Sequence, residues 1–304
     1  MQDQTLSFLL RRFEEAGITP RHQLGQNFLL DQNLLKLLVR RADIRPTDVV
    51  LEVGSGSGGL TIQMAPLAAH VVTVELDPQL YQLASEELHE CSNVTILNED
   101  ILRNKNCLNP VVLEKIEEIR AQHLDGEFKL AANLPYNVAT PIISNLLALE
   151  NPPKSMTITI QKEVGDRMCA APGTKDYGAL SLWVQCQADV EIVRTLPPSV
   201  FIPRPKVYSA IVHIERNLEK RALVRDLPRF HEFIRAMFLH RRKFLRSELI
   251  SVFKKRLEKS DVDEILRRMN LSGEMRAEQL TLAEMRDLCD VSYAVLSEKT
   301  GSST

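Results

Sequence analysis

The amino-acid sequence predicts an α/β fold: a doubly wound, mostly parallel sheet followed by a small all-helical region. Three observations carry this expectation. Short β-rich runs alternate with segments of helical spacing, and a glycine-rich turn, Gly54-Ser55-Gly56-Ser57-Gly58-Gly59, follows the first such run. After Arg216 the β-rich runs stop and only helical patterns remain. The boundary is expected near residues 216–225, dividing the chain into 1–215 and 216–304.

Taken in order, Thr5–Ala16 and Asn33–Ala42 carry apolar residues at helical spacing, with Asp31 placed to cap the second. Val49–Val53, Val71–Glu75, Val94–Asn98, Phe128–Ala132 and Met156–Gln161 are strand candidates, and Pro78–Glu90 is a helix among them. Another helix starts at Thr140. Leu180–Gln187 and Val207–Glu215 lack a clear helix between them and are expected to pair antiparallel at one sheet edge. Arg103–Gly126 reads as a surface elaboration. Beyond Arg216, Phe230–Leu239, Phe244–Leu257, Val262–Met269 and Leu282–Leu296 read as helices, and Thr281 with Glu284 makes a capping box. Thr300–Thr304 reads as a frayed tail.

The 304 residues, 44% of them hydrophobic, can fill a full core. No apolar run approaches the roughly 18 residues that span a bilayer, and Met1-Gln2-Asp3-Gln4 lacks the layout of a signal peptide. A cytoplasmic protein without membrane contact is expected. Five scattered cysteines form no C-x-x-C pair, so neither a zinc site nor a disulfide framework is expected. The net charge of −2 conceals an asymmetry: Arg216–Lys259 holds 14 Lys and Arg against 5 Asp and Glu. One basic block in a near-neutral chain points to a polyanion docked at one place; the plainer alternative is a solvated helix surface.

Glycines at 54, 56 and 58 let the chain turn tightly after the first strand and approach a ligand closely. Gly54, Gly56 and Gly59 also satisfy the G-x-G-x-x-G dinucleotide fingerprint, with Glu75 about twenty residues on in the position of a ribose-binding acid. A purely structural turn is a further alternative. Two features favour S-adenosylmethionine. Glu52, just before the loop, suits the cationic end of a methionine and opposes a pyrophosphate; Asp100, closing the third strand, can accept from an adenine amine.

Asn133-Leu134-Pro135-Tyr136 ends the fourth strand, the place where open α/β sheets do their chemistry. An amide, a rigid turn and an aromatic face suit a planar exocyclic amine held by its N–H groups and stacked on a ring. Together with the glycine loop, this reads as a methyltransferase acting on a base nitrogen.

The ordered set of motifs resembles the ribosomal RNA adenine N6-dimethyltransferases, which modify two adjacent adenines near the 3′ end of small-subunit RNA. The resemblance runs from Arg21 to about Leu288. It rests on Leu24–Asp31, the glycine loop with Glu75 and Asp100, Asn133–Asn137, Gln161–Val164, Phe201–Ser209, Arg241–Arg246 and Arg276–Leu280. Ala132 and Ser55 depart from the family's usual glycine and proline.

The resemblance implies a Rossmann-like class I methyltransferase with S-adenosylmethionine as cofactor. Gln26, Asn27, Phe28, Leu29, Glu52, Gly54, Gly56, Gly58, Glu75, Leu76, Asp100, Ile101 and Asn133 would hold it. The Asn133 side-chain oxygen and the Leu134 carbonyl would accept the two N6–H bonds, aiming the lone pair at the methyl group. Pro135 would fix the turn, Tyr136 would stack on the base, and Phe201 would cover its opposite face. Lys206, Arg241, Arg242, Lys243 and Arg246 would contact phosphates. A monomer working on immature small ribosomal subunits is expected. The competing readings are a large-subunit adenine methyltransferase of the macrolide-resistance type, a non-catalytic ribosome-assembly factor on the same fold and, last, a dehydrogenase.

Overall fold

The computed structural model describes residues 6–15, 17–18, 25–29, 31–240 and 242–301. Contacts divide the chain into two units: residues 1–165 with 190–216, and residues 166–189 with 217–304.

The first unit is built on a sheet of seven strands: β1 (Val49–Val53), β2 (His70–Val74), β3 (Val94–Leu97), β4 (Phe128–Asn133), β5 (Ser155–Gln161), β6 (Ala188–Leu196) and β7 (Ser209–Arg216). Their spatial order is β3-β2-β1-β4-β5-β7-β6. Neighbours from β3 to β5 run parallel, and β7 runs antiparallel to β5. Every residue of β1 is buried, as expected for a strand covered on both faces. The order reverses between β1 and β4, so their carboxyl ends flank the crevice where doubly wound sheets bind ligands.

Helices α1 (Leu6–Glu15) and α2 (Gln32–Ala42) precede the sheet. Asp31 caps α2 by accepting from the Asn33 and Leu34 amides, and Leu34, Leu35 and Leu38 enter one core cluster with Val50 and Val71. Next come α3 (Gly59–Met64), α4 (Pro78–Glu87), α5 (Pro110–Arg120) and α6 (Ala139–Ala148). The stretch 103–126 is no surface elaboration. It contains α5, capped by Asn109 and burying Val112, Ile116 and Ile119, the crossover helix that a parallel connection from β3 to β4 needs. At the amino ends of β1 and β4, Lys129 Nζ meets Asp48 Oδ2 at 2.8 Å with both side chains buried.

Leu180–Gln187 is not the edge strand expected from the sequence. Ala179–Gln185 is a helix, and the edge strand is β6. A short apolar run reads alike as a buried strand or a buried helix turn; here Leu180 to Val184 are all buried. The single cut expected at residue 216 changes for the same reason. Trp183 of this helix stacks on His231 with ring centroids 3.9 Å apart, so the segment belongs to the helical unit.

The helical unit also holds Leu227–Met237, Leu245–Val252, Lys259–Arg268 and Leu282–Gly301. Phe230, Phe233, Ile234, Leu249, Phe253 and Leu288 are among its buried residues. The helix expected over Phe244–Leu257 stops at Val252, and Lys255 at φ +65° turns the chain out of helical geometry. Thr281 and Glu284 exchange the two bonds of a capping box. None of the described helices is long and apolar enough to cross a membrane, and none of the five cysteines forms a disulfide.

Candidate active site

A cleft opens where β1 and β4 end. It is lined by Gln26, Asn27, Phe28, Leu29, Glu52, Gly54, Gly56, Glu75, Leu76, Asp100, Ile101, Asn133, Leu134 and Pro135. The sequence therefore pointed to residues from five separate segments that the fold brings to one place. Tyr136 and Phe201 do not line it, and among the expected cofactor contacts Gly58 is the exception. It stands at the start of α3 with φ +78°, where a Cβ would meet the Leu88 side chain at 3.2 Å, and it does not line the cleft.

The glycine loop works by backbone geometry. Gly56 has φ +55°, and a Cβ there would lie 3.0 Å from the Phe28 ring. Its amide donates to Glu75 Oε2 at 3.0 Å, while the Asp77 amide donates to Oε1 at 3.0 Å. These two bonds fix the Glu75 carboxyl at the wall of the cleft. Burial nevertheless raises its pKa, against the lowering effect of the two amides. Glu52, 1% exposed, takes a hydrogen bond from the Thr61 hydroxyl. Burial pushes its pKa up to about 8, with Glu75 adding repulsion. On the far side Asp100 Oδ1 accepts from the Leu102 amide at 2.8 Å, while Leu76 and Ile101 supply apolar surface.

Glu52, Glu75, Glu99 and Asp100 line the cleft, with no Lys or Arg among the described lining residues. Such a wall repels a pyrophosphate, which dinucleotide sites hold with positive charge and helix termini. It suits a cation. The residues present thus fit S-adenosylmethionine: acidic groups for its amino and sulfonium charges and its hydroxyls, apolar side chains for its adenine. No group of three or more His, Cys, Asp or Glu placed to hold a metal occurs among the described residues.

At the end of β4, Asn133 Nδ2 donates to the Asn27 carbonyl at 2.7 Å. That bond orients the amide, and Asn133 Oδ1 is left buried with no hydrogen-bond partner. Phe28–Leu29 pairs antiparallel with Phe201–Ile202, tying the segment over the cleft to the loop before β7. The Tyr136 hydroxyl bonds to Ser209 at the start of β7, and burial raises the phenol's pKa. Ser209 belongs to a segment that the sequence singled out, yet its bond to Tyr136 links positions 73 residues apart. Thr61 and Asp77, which bond to Glu52 and Glu75, are not among the residues expected from the sequence. Asp77 had a readable signal, an Asp-Pro pair opening α4, whereas Thr61 had none.

Phe201 differs from the parallel face expected opposite Tyr136. It is 1% exposed, packs with Leu29 and Ile211, and meets the Tyr136 ring edge-on, with centroids 6.5 Å apart and planes at 76°. A base fits between them only if one ring rotates. Of the basic residues, Lys206 and Arg242 are exposed and Arg241 lies outside the described residues. Arg246 is engaged in a two-bond pair with Asp263, at 2.5 and 2.8 Å, which competes with a phosphate contact.

Sheet order, glycine loop and acidic cleft together define a class I S-adenosylmethionine-dependent methyltransferase. A solved dimethyladenosine transferase from Plasmodium falciparum shares this fold, with a TM-score of 0.70 at 22% identity over 86% of this chain and 95% of that one. A solved 23S rRNA methyltransferase does so with a TM-score of 0.61 at 23% identity, over 88% and 99%. The model of the ribosomal RNA adenine dimethylase family matches residues 18–287, and the chain belongs to that family. It is an S-adenosylmethionine-dependent ribosomal RNA adenine dimethyltransferase. Among curated relatives, the ribosomal RNA small subunit methyltransferase A of Caldanaerobacter subterraneus is 39% identical over 90% of this chain and 97% of its own. The protein of the same name from Alkaliphilus oremlandii is 42% identical over 86% and 88%.

Proposed function

We propose that this protein methylates N6 of two adjacent adenines in the 3′-terminal hairpin of small-subunit ribosomal RNA, giving N6,N6-dimethyladenosine during ribosome biogenesis. The observation that carries the amine assignment is Asn133: its Nδ2 is held by the Asn27 carbonyl, so its buried, unpartnered oxygen is an acceptor in waiting. The small-subunit target is supported by relatives that bear that name across nine tenths of this chain.

When bound, S-adenosylmethionine supplies an electrophilic methyl group. The residues do the rest by position. Asn133 Oδ1 and the Leu134 carbonyl accept from the two N6–H groups, turning the nitrogen lone pair toward the cleft. Near-attack placement of this kind lowers a barrier by up to about 7–11 kcal/mol in the best cases. Tyr136 stacks on the flipped base with its hydroxyl tied to Ser209, and Phe201 closes the other face after rotating. Glu52 and Glu75 hold the cationic and hydroxyl groups of the cofactor, Asp100 its adenine amine, and residues 26–29 cover it. Lys206, Arg241, Arg242 and Lys243 contact phosphates, with Arg246 joining them if its bond to Asp263 opens. The protein acts as a cytoplasmic monomer.

The test is methyl transfer from labelled S-adenosylmethionine to small subunits lacking the modification, with large subunits and Asn133→Ala as controls. Dimethyladenosine at two neighbouring small-subunit positions, absent with the variant, is the expected product. Label confined to large subunits would reassign the substrate. Binding without transfer would leave an assembly factor.

A further inference from the structure

Two buried polar atoms without a hydrogen-bond partner belong to neighbours at the amine end of the base slot: Asn133 Oδ1 and Thr159 Oγ1. Asn133 of β4 and Thr159 of β5 are register partners. Their side chains therefore leave the same face of the sheet, from strands about 4.8 Å apart. The Leu134 amide locks the pairing by donating to the Thr159 carbonyl at 3.1 Å. Phe201 packs on that face too, since Ile211, which pairs with Thr159 from β7, lies in its core cluster. A rotation of Phe201 that admits a base at Asn133 would therefore uncover Thr159 as well.

A buried hydroxyl left unbonded costs about 1–3 kcal/mol, and valine would fill the same space without that cost. Thr159 is 0% exposed. Packing alone thus gives no reason for its hydroxyl, whereas a ligand does. An amide oxygen only accepts, and a hydroxyl can donate. An acceptor beside a donor matches the edge of adenine, whose N6 amine lies next to a ring nitrogen that accepts. Guanine carries a carbonyl oxygen in place of that amine, which would face Asn133 Oδ1 acceptor to acceptor.

We propose that Thr159 restricts this site to adenine: its hydroxyl donates to the ring nitrogen beside the amine while Asn133 Oδ1 accepts from the amine. The inference rests on the base slot proposed above. Thr159 is a positioning residue and takes no part in bond making. Its contribution grows in the second transfer. The first methyl group removes one N6–H and with it one of the amine's bonds, but the ring nitrogen still accepts.

The test compares Thr159→Val, which keeps shape and loses the hydroxyl, with Thr159→Ser, which keeps the hydroxyl, on unmodified small subunits. Thr159→Val is expected to fold with an unchanged or higher Tm and to bind S-adenosylmethionine within about twofold of the wild type. Its kcat/KM should fall about 10- to 100-fold, the discrimination carried by a good base contact, with monomethyladenosine accumulating. Thr159→Ser should stay within about threefold, since the donor remains. On subunits reconstituted with 1-deaza- or 7-deazaadenosine at the target, one analogue should bring the wild type down to the variant's level, with no further loss in the variant. Wild-type activity in Thr159→Val, or failure of both analogues to equalise the two enzymes, overturns the proposal. Full activity in Asn133→Ala would instead sink the base slot itself.

Discussion

The amide nitrogen of Asn133 and the backbone carbonyl of Asn27 meet at 2.7 Å although 106 positions separate them in the chain. The bond assigns the amide, because only its NH2 can donate to a carbonyl, so the oxygen must face the other way. The acceptor that the sequence expects at Asn133 thereby gains a fixed orientation.

Replacing that acceptor tests its role. Asn133→Ala should lower kcat by about 100-fold, the scale seen when one preorganised hydrogen-bonding group is removed from an active site. Asn133→Asp should also fail, since its carboxylate would face the Asn27 carbonyl with no proton to share. Single-turnover methyl transfer with saturating S-adenosylmethionine reads both. Near-normal rates in the alanine variant would remove Asn133 from the mechanism.

Cofactor binding is expected to depend on pH through Glu52. Its carboxyl is raised to about 8 by burial, so it is mostly protonated at neutral pH before a cation arrives. A bound cation favours the carboxylate, so binding releases a proton and tightens as pH rises from 6 toward about 8. Calorimetry in buffers of different ionisation enthalpy should show this release, and Glu52→Gln should abolish it. The sign for stability is opposite. A folded pKa above the unfolded value of 4.5 gives a contribution present below 4.5 and lost as pH rises through about 8. Without ligand, Glu52→Gln should therefore flatten the fall of Tm over that range.

Gly56→Ala should weaken both fold and cofactor binding. Its φ of +55° costs an L-residue about 1–2 kcal/mol, and the added Cβ would press on Phe28 at 3.0 Å. A lower Tm and a higher Kd for S-adenosylmethionine are the expected pair of changes.

Tyr136 separates stacking from hydrogen bonding. Tyr136→Phe keeps the ring and loses the bond to Ser209, and should cost little RNA affinity. Tyr136→Ala should lose about 1–3 kcal/mol, the worth of one stacked base. Fluorescence of 2-aminopurine at the target position reports whether the base still leaves its helix.

The basic residues should separate by salt dependence. Arg242→Ala is expected to lower RNA affinity and to reduce the slope of log K against log salt by about 1, as a lost phosphate contact does. Arg246→Ala should change the slope less, because Asp263 already holds that guanidinium at 2.5 and 2.8 Å. Equal slopes for the two variants would place both on phosphates.

Local chemistry was readable in the sequence, and distant partnership was not. Asp31, Thr281 and the five parallel strands carry their signals within a few residues, and each appears within a residue or so of its expected position. The apolar run from Leu180 misled because burial on all sides erases the difference between the two periods. Most of the residues that line the cleft could be named from their motifs. What Asn133 and Tyr136 bond to could not, since Asn27 and Ser209 lie 106 and 73 positions away and only the folded sheet brings them close.

The two-residue ladder between Phe28–Leu29 and Phe201–Ile202 bears on the order of events in turnover. An adenine that receives two methyl groups needs two cofactor molecules in succession, so the spent one must leave between transfers. Residues 26–29 line the cleft proposed to hold the cofactor, and Phe28–Leu29 among them pair with Phe201–Ile202, the segment that carries the residue proposed to cover the base. If the ladder parts, the half-modified nucleotide can stay while the cofactor is exchanged, and the enzyme is processive. If it holds, both ligands leave together, and monomethylated RNA is released and must be captured again. A ladder of only two residue pairs is short enough for parting to cost little, and the yield of free monomethylated RNA measures which course is taken.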